Sequence, residues 1–168
     1  MSDNKTISIK QRDSTAESIK NEETLVRLLC SPSYYDEKTG LVNPDAFDLR
    51  ILPSGKPEEY VSLQRLKMCP SGDEMNQKFC HLGHIIWDEK GGNDCFWGYG
   101  DFNCGDAREV HEMVEINPLK GHDKSHIGLC YKHPEGGYYV GPLPKSENDN
   151  LLEILSDLAD LLSVHSLT

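Results

Sequence analysis

Apolar side chains recur along this chain in short runs, broken every few residues by Gly, Pro, Asn and Asp. Thr24 to Cys30 is dense enough for a strand or a buried helix end, and Ser31-Pro32 stops it. Tyr35 to Gly40 reads as a turn with Gly40 at positive φ. Asn43-Pro44-Asp45-Ala46-Phe47 has the form of an N-cap, a proline at the first helical position and one helical turn. Two short strands are expected around Asp48–Leu52 and Tyr60–Leu66, joined by the turn-rich Pro53 to Pro57.

Ser71-Gly72-Asp73-Glu74 has capping-box form ahead of Met75, Phe79 and Leu82, which predicts a short helix near 72–82. His84-Ile85-Ile86-Trp87 then reads as a strand. Beyond the turn at Gly91 to Asp94, Cys95 to Phe102 alternates aromatic and small residues as a strand does. Val110, Val114 and Ile116 share one parity of a further strand, with His111, Met113 and Glu115 on the other. Ile127–Tyr131 is another strand, and Tyr138 to Val140 suits a short one. Leu151, Leu152, Ile154, Leu155, Leu158, Leu161 and Leu162 form a broad stripe opposite Glu153, Ser156, Asp157 and Asp160. That is an amphipathic helix, capped by Asn148 or Asn150 and packed on a sheet.

These elements predict an α+β fold: a mostly antiparallel sheet, one short middle helix and a long C-terminal amphipathic helix. Residues 1–22 carry few apolar side chains and read as a disordered lead, followed by a single domain over 23–168. A short helix opened by Ser14-Thr15-Ala16-Glu17 is the competing reading of the lead. A chain of 168 residues buries about 70% of its unfolded surface and needs no staples.

Charge narrows the partners. The net charge of −11, with 28 acids against 17 bases, opposes nucleic acid and anionic membrane surfaces. It suits solubility or a basic protein partner. No apolar run approaches the roughly 20 residues of a membrane span, and Met1 to Lys5, with no apolar stretch behind them, are not expected to act as a secretory signal. The cytoplasm, with reduced thiols, is the expected location.

Candidate chemistry is crowded but unassembled. Five of the six cysteines and six of the seven histidines lie between Cys69 and His133. Cys80 with His84 and Cys130 with His133 are knuckle-like pairs for zinc, with loop-borne Cys95 and Cys104 an alternative second pair. Their separations match no finger or ribbon, and buried thiols beside solvent-facing imidazoles account for them equally. No cofactor is expected, with zinc the alternative. A Cys104–His126 dyad would need a stabilised thiolate, whereas buried inert cysteine is the commoner state. His111-Glu112 resembles half of a zinc-protease motif, but a strand would send the two side chains to opposite faces. Arg27, Ser62 and Glu112 occur in the order of an ADP-ribosyl transferase set; order alone is weak support. Phe96, Trp97, Tyr99 and Phe102, among small residues, could line a binding groove or pack a curved strand.

Leu25-Val26-Arg27-Leu28-Leu29, Pro32, Tyr35-Asp36, Gly40, Val42, Ala46-Phe47, Leu49 and Ser62-Leu63 together resemble the opening of a group of small uncharacterised bacterial proteins. Ser125-His126-Ile127, after Pro118, resembles a later element of that pattern. The usual histidine before the proline is replaced by Cys30 and Ser31. The resemblance implies a bacterial cytosolic source and no particular activity. Acidity, missing catalytic motifs and the aromatic set favour a non-catalytic protein-interaction module. The alternative is a Cys/His enzyme or zinc-supported domain built on Cys69–His133.

Overall fold

The structure, a computed structural model, describes residues 17–120 and 123–168 together with the backbone of Lys5 and Thr6. The strands are β1 (Lys5–Thr6), β2 (Thr24–Ser31), β3 (Tyr35–Asp36), β4 (Leu41–Val42), β5 (Val61–Arg65), β6 (Cys95–Asn103), β7 (Val114–Pro118), β8 (His126–Tyr131), β9 (Tyr138–Tyr139) and β10 (Ser163–Ser166). Three α-helices join them: α1 (Asp73–Ile86), α2 (Cys104–Val110) and α3 (Asp149–Asp160). The main sheet has six strands in the order β10-β6-β2-β5-β8-β7, and every pairing in it is antiparallel. The class is therefore α+β, as the patterning predicts.

Strand parity decides what each sheet face does. Leu25 and Leu29 of β2, Val61 and Leu63 of β5, Ile127, Leu129 and Tyr131 of β8, and Val114 and Ile116 of β7 are all buried. Registers such as Leu63 opposite Ile127 and Ile116 opposite Leu129 place them on one face. That face carries the 3₁₀ turn Pro44–Phe47, where Phe47 meets Phe102 edge-on and its carbonyl accepts from the Tyr131 hydroxyl. Asn43 caps this turn through the Asp45 N–H, with Pro44 in the first position as expected. Helix α3 packs on the turn, burying Leu151, Ile154, Leu155 and Leu158, and Asn148 is its cap.

Several local expectations are corrected. The middle helix is the longer one, 14 residues against 12 in α3. His84 to Ile86, read as strand, continues α1 because Phe79, Leu82, Gly83 and Ile86 keep one helical stripe on the sheet while Ile85 faces solvent. The cap of α1 is Gly72, with no side-chain bond from Ser71. Asp48–Leu52 makes only an isolated bridge, Ile51 to Pro57. Val110 ends α2 rather than starting a strand, and Asn103 caps that helix through the Asp106 N–H. Strand β10 has no counterpart among the elements that the patterning predicts.

Of residues 1–22, the backbone of Lys5 and Thr6 pairs with β9, and the residues from Glu17 onward lie against the domain with Ile19 buried. The helix expected from Ser14 lies largely outside the described residues.

Helix α1 reaches β6 across a glycine. A Cβ on Gly83 would lie 2.1 Å from Cδ1 of Phe96, whose ring is buried and stacked on Trp87. Gly83→Ala gains about 1 kcal/mol of helix propensity. Overpacking costs about 1–3 kcal/mol, so the expected net result is a lower urea midpoint in equilibrium unfolding.

Candidate functional site

The face of the sheet beneath α1 is covered unevenly. Helix α1 lies over β6 and β2, with Phe79 edge-on to Tyr99 of β6. Registers put Val26, Gln64 and His126 in one row across β2, β5 and β8, and Ser62, Gly128 and Asn117 in the next across β5, β8 and β7. This half of the face is polar where the opposite face is aliphatic. A cleft of about 420 Å³ opens at the boundary. Its apolar lining is Val26, Leu28, Leu82 and Ile86, and its polar lining is Arg27, Ser62, Gln64, Lys78, Asp123 and His126.

One hydrogen-bond cluster shapes the rim. Lys78 Nζ donates to Ser125 Oγ at 2.6 Å and faces Asp123 Oδ2 at 3.4 Å. Ser125, fully buried, can donate its single hydroxyl proton to Gln64 Oε1 (2.8 Å) or Asp123 Oδ1 (2.9 Å). The Ser125 backbone N–H, then its hydroxyl, hold the Asp123 carboxyl below its ordinary value, with Lys78 adding to the effect against a smaller burial penalty. A serine beside a lysine suggests acyl transfer, but that chemistry needs an exposed hydroxyl and a free amine as base. Here the hydroxyl is enclosed and the amine is engaged by a carboxylate. The cluster anchors Lys78 at the rim. Beside it, burial pushes the Cys69 thiol up despite Lys78, and Cys69 Sγ donates to the Arg65 carbonyl.

Arg27 comes from the opposite parity of β2 and lies where β2 and β5 part, since their pairing is confined to Leu25–Arg65 and Val26–Gln64. Its Nε donates to the Ala46 carbonyl at 2.7 Å and its Nη1 to the Ser62 carbonyl at 3.2 Å. Its guanidinium stands 5.0 Å from the ring centre of Tyr34.

A second cavity of about 440 Å³ shares Ser62 and is otherwise framed by the loop Leu52 to Tyr60 and Val140. Its acids include Glu58, already bound to Arg50 at 3.3 Å, and it lacks the apolar helical wall. The cleft under α1 is the better candidate, combining an apolar wall with convergent polar groups.

The residues singled out from sequence are mostly dispersed. Phe96, Trp97 and Phe102 belong to β6 and are buried, while Tyr99 is half-buried. Trp97 stacks on Tyr35 with ring centres 3.8 Å apart, and Tyr99 on His165 at 4.7 Å. These rings pack a strand, which is the second of the two readings that their alternation with small residues allows. Cys104 is buried at the start of α2, not on a loop, near Arg108, Glu23 and Arg65, and burial raises its thiol pKa. His126 is on β8 with its ring edge-on to Tyr60, so the two form no dyad. Burial, aided by Asp94, pushes the Cys30 thiol up to about 12.

The zinc pairs also separate. Cys80 and His84 lie on α1, where His84 faces Asp88 and Glu89. Cys130 is buried in β8, and His133 packs on Tyr139 with its Nδ1 accepting from the Glu135 N–H. Among the described residues no three His, Cys, Asp or Glu side chains gather as a metal ion requires. Glu112 lies on the turn after α2 beside His111 and His133, whereas Arg27 and Ser62 meet directly. The transferase set is therefore not assembled.

Sequence reading missed Lys78, Gln64 and Asp123. One signal was present: Lys78, Leu82 and Ile86 follow each other at four-residue spacing on α1, so a lysine ends the buried stripe. Arg27, Ser62 and His126 line this one cleft.

No family model matches the chain, and no curated protein or solved structure shows significant similarity to it. No helix among the described residues is long and apolar enough to cross a membrane.

Proposed function

We propose that the chain is an accessory recognition module that holds a ligand in the cleft under α1 without transforming it. The observation that carries this reading is the cleft itself: an aliphatic wall facing a polar floor, with room for a small organic molecule. The surrounding acidity suits a basic protein as the party to which the loaded module reports. The nucleophiles nearby are enclosed or have raised pKa values, which favours binding over turnover.

A thermal-shift screen of small organic compounds tests the reading. A ligand at 100 times its Kd adds about 2.7 kcal/mol, which for a chain of this length raises Tm by roughly 5–10 °C. Leu82→Glu, a half-buried position on the cleft wall, is expected to remove that shift while the unliganded protein keeps its fold. Absence of a shift across the screen would refute the proposal. Mass-spectrometric conversion of a bound compound would replace it with an enzymatic account.

A further inference from the structure

Resting on the cleft reading, we propose that the ligand carries an oxyanion, a carboxylate or a phosphate ester, on an apolar body, and that Arg27 receives it. Arg27 is 8% exposed and lines the cleft, yet among the described residues it has no carboxylate partner. Two carbonyls and an aromatic face are its only compensation. A buried guanidinium in that state is normally paired.

The cations and acids around it are already committed. Lys78 is taken by Asp123, Arg50 by Glu58, and the buried Asp48 by Lys145. Close to Arg27, the Tyr34 hydroxyl is enclosed and lacks a hydrogen-bond partner, with the Arg50 guanidinium 5.6 Å from its ring centre. Among the described residues, Arg27 is thus a buried positive charge without a counter-charge and the Tyr34 hydroxyl has no acceptor. An oxyanion held in the cleft supplies the counter-charge that Arg27 lacks. The gap between β2 and β5 brings Arg27 to the cleft, and Leu82 and Ile86 of α1 offer the apolar body a wall.

Isothermal titration with three matched probes tests the inference: 2-naphthoate, 2-naphthyl phosphate and the neutral 2-naphthamide. A charge-assisted hydrogen bond implies that the better anion binds about 10- to 100-fold more tightly than the amide. Whichever anion leads identifies the source chemistry. Arg27→Met is expected to bring the anion down to the affinity of the amide. Should that variant unfold, Arg27→Lys, which keeps the charge but lacks the fork, is expected to weaken the anion selectively. If the amide matches both anions on the wild-type protein, the oxyanion inference falls and the cleft reading survives. If none of the three binds, the cleft reading falls and the inference with it.

Discussion

Replacing Glu23 with alanine is expected to cost about 3–5 kcal/mol, because it strands a buried guanidinium. Arg65 Nη2 lies 2.8 Å from Glu23 Oε2 and its Nε 2.9 Å from Oε1, with the two side chains 3% and 5% exposed. Remaining donors of Arg65 reach the Glu17 and Ser18 carbonyls, so the pair also fastens the segment that enters β2. In a domain of this size the loss lowers Tm by roughly 10 °C or more. A double variant, Glu23→Leu with Arg65→Met, removes both charges and is expected to recover much of the loss. Calorimetry on the three proteins decides; a single variant that melts within a degree of wild type would refute the assignment.

The same pair sets an acid limit. Burial alone would raise the Glu23 carboxyl, but hydrogen bonds from Arg65 and the Lys20 N–H, with the charges of Arg65 and Lys67, hold it below its ordinary 4.5. A folded pKa lower than the unfolded one gives stability that is complete above the ordinary value. It is lost as pH falls through the folded value. Stability is therefore expected to decline below about pH 4.5, and Glu23→Gln to flatten that decline in urea titrations.

Phe79→Ala is the second large effect, expected at about 3–5 kcal/mol. Phe79 is fully buried and is the main aromatic anchor of α1, meeting Tyr99 at a centroid distance of 5.2 Å. Because α1 also supplies Leu82, Ile86 and Lys78 to the cleft, the variant is expected to lose ligand-induced stabilisation as well. Denaturant unfolding should show a lower midpoint with an unchanged slope. A loss under about 1 kcal/mol would mean that the helix is anchored elsewhere, since full burial of a phenylalanine predicts several times more.

Much of the fold was legible because period and punctuation agree. Thr24–Ser31 is aliphatic and ends at a proline, Asn43-Pro44 opens a turn with its cap in place, and Gly40 and Gly91 adopt the positive φ their turns require. The failures have a common cause. His84 to Trp87 is β-branched and aromatic, yet the sheet beneath α1 accepts Ile86 at helical spacing, so tertiary packing overrides propensity. Cys104 to Val110 lacks a long apolar stripe, and β10 is four residues with mostly exposed side chains, so neither leaves a strong pattern.

The site was less legible than the fold, for a different reason. Cysteine and histidine drew attention by their chemistry, but among the described residues they do not gather with acids at a common point, whereas the cleft is made largely by ordinary residues from β2, β5, α1 and β8. Gln64 and Ser62 carry no motif. Only the strand registers place them in rows with His126 and Gly128.

Strand order has a consequence for how quickly this chain reaches its native state. Strand β2 pairs with β6, some seventy positions later, and β6 in turn with β10, again more than sixty positions away. Four of the five ladders in the main sheet must therefore close a long loop before they gain their contacts, which places folding in the millisecond-to-second range rather than the microseconds of helical bundles. Until β6 has been made, aliphatic β2 can pair only through Leu25 and Val26 with β5, so a growing polypeptide is exposed to self-association.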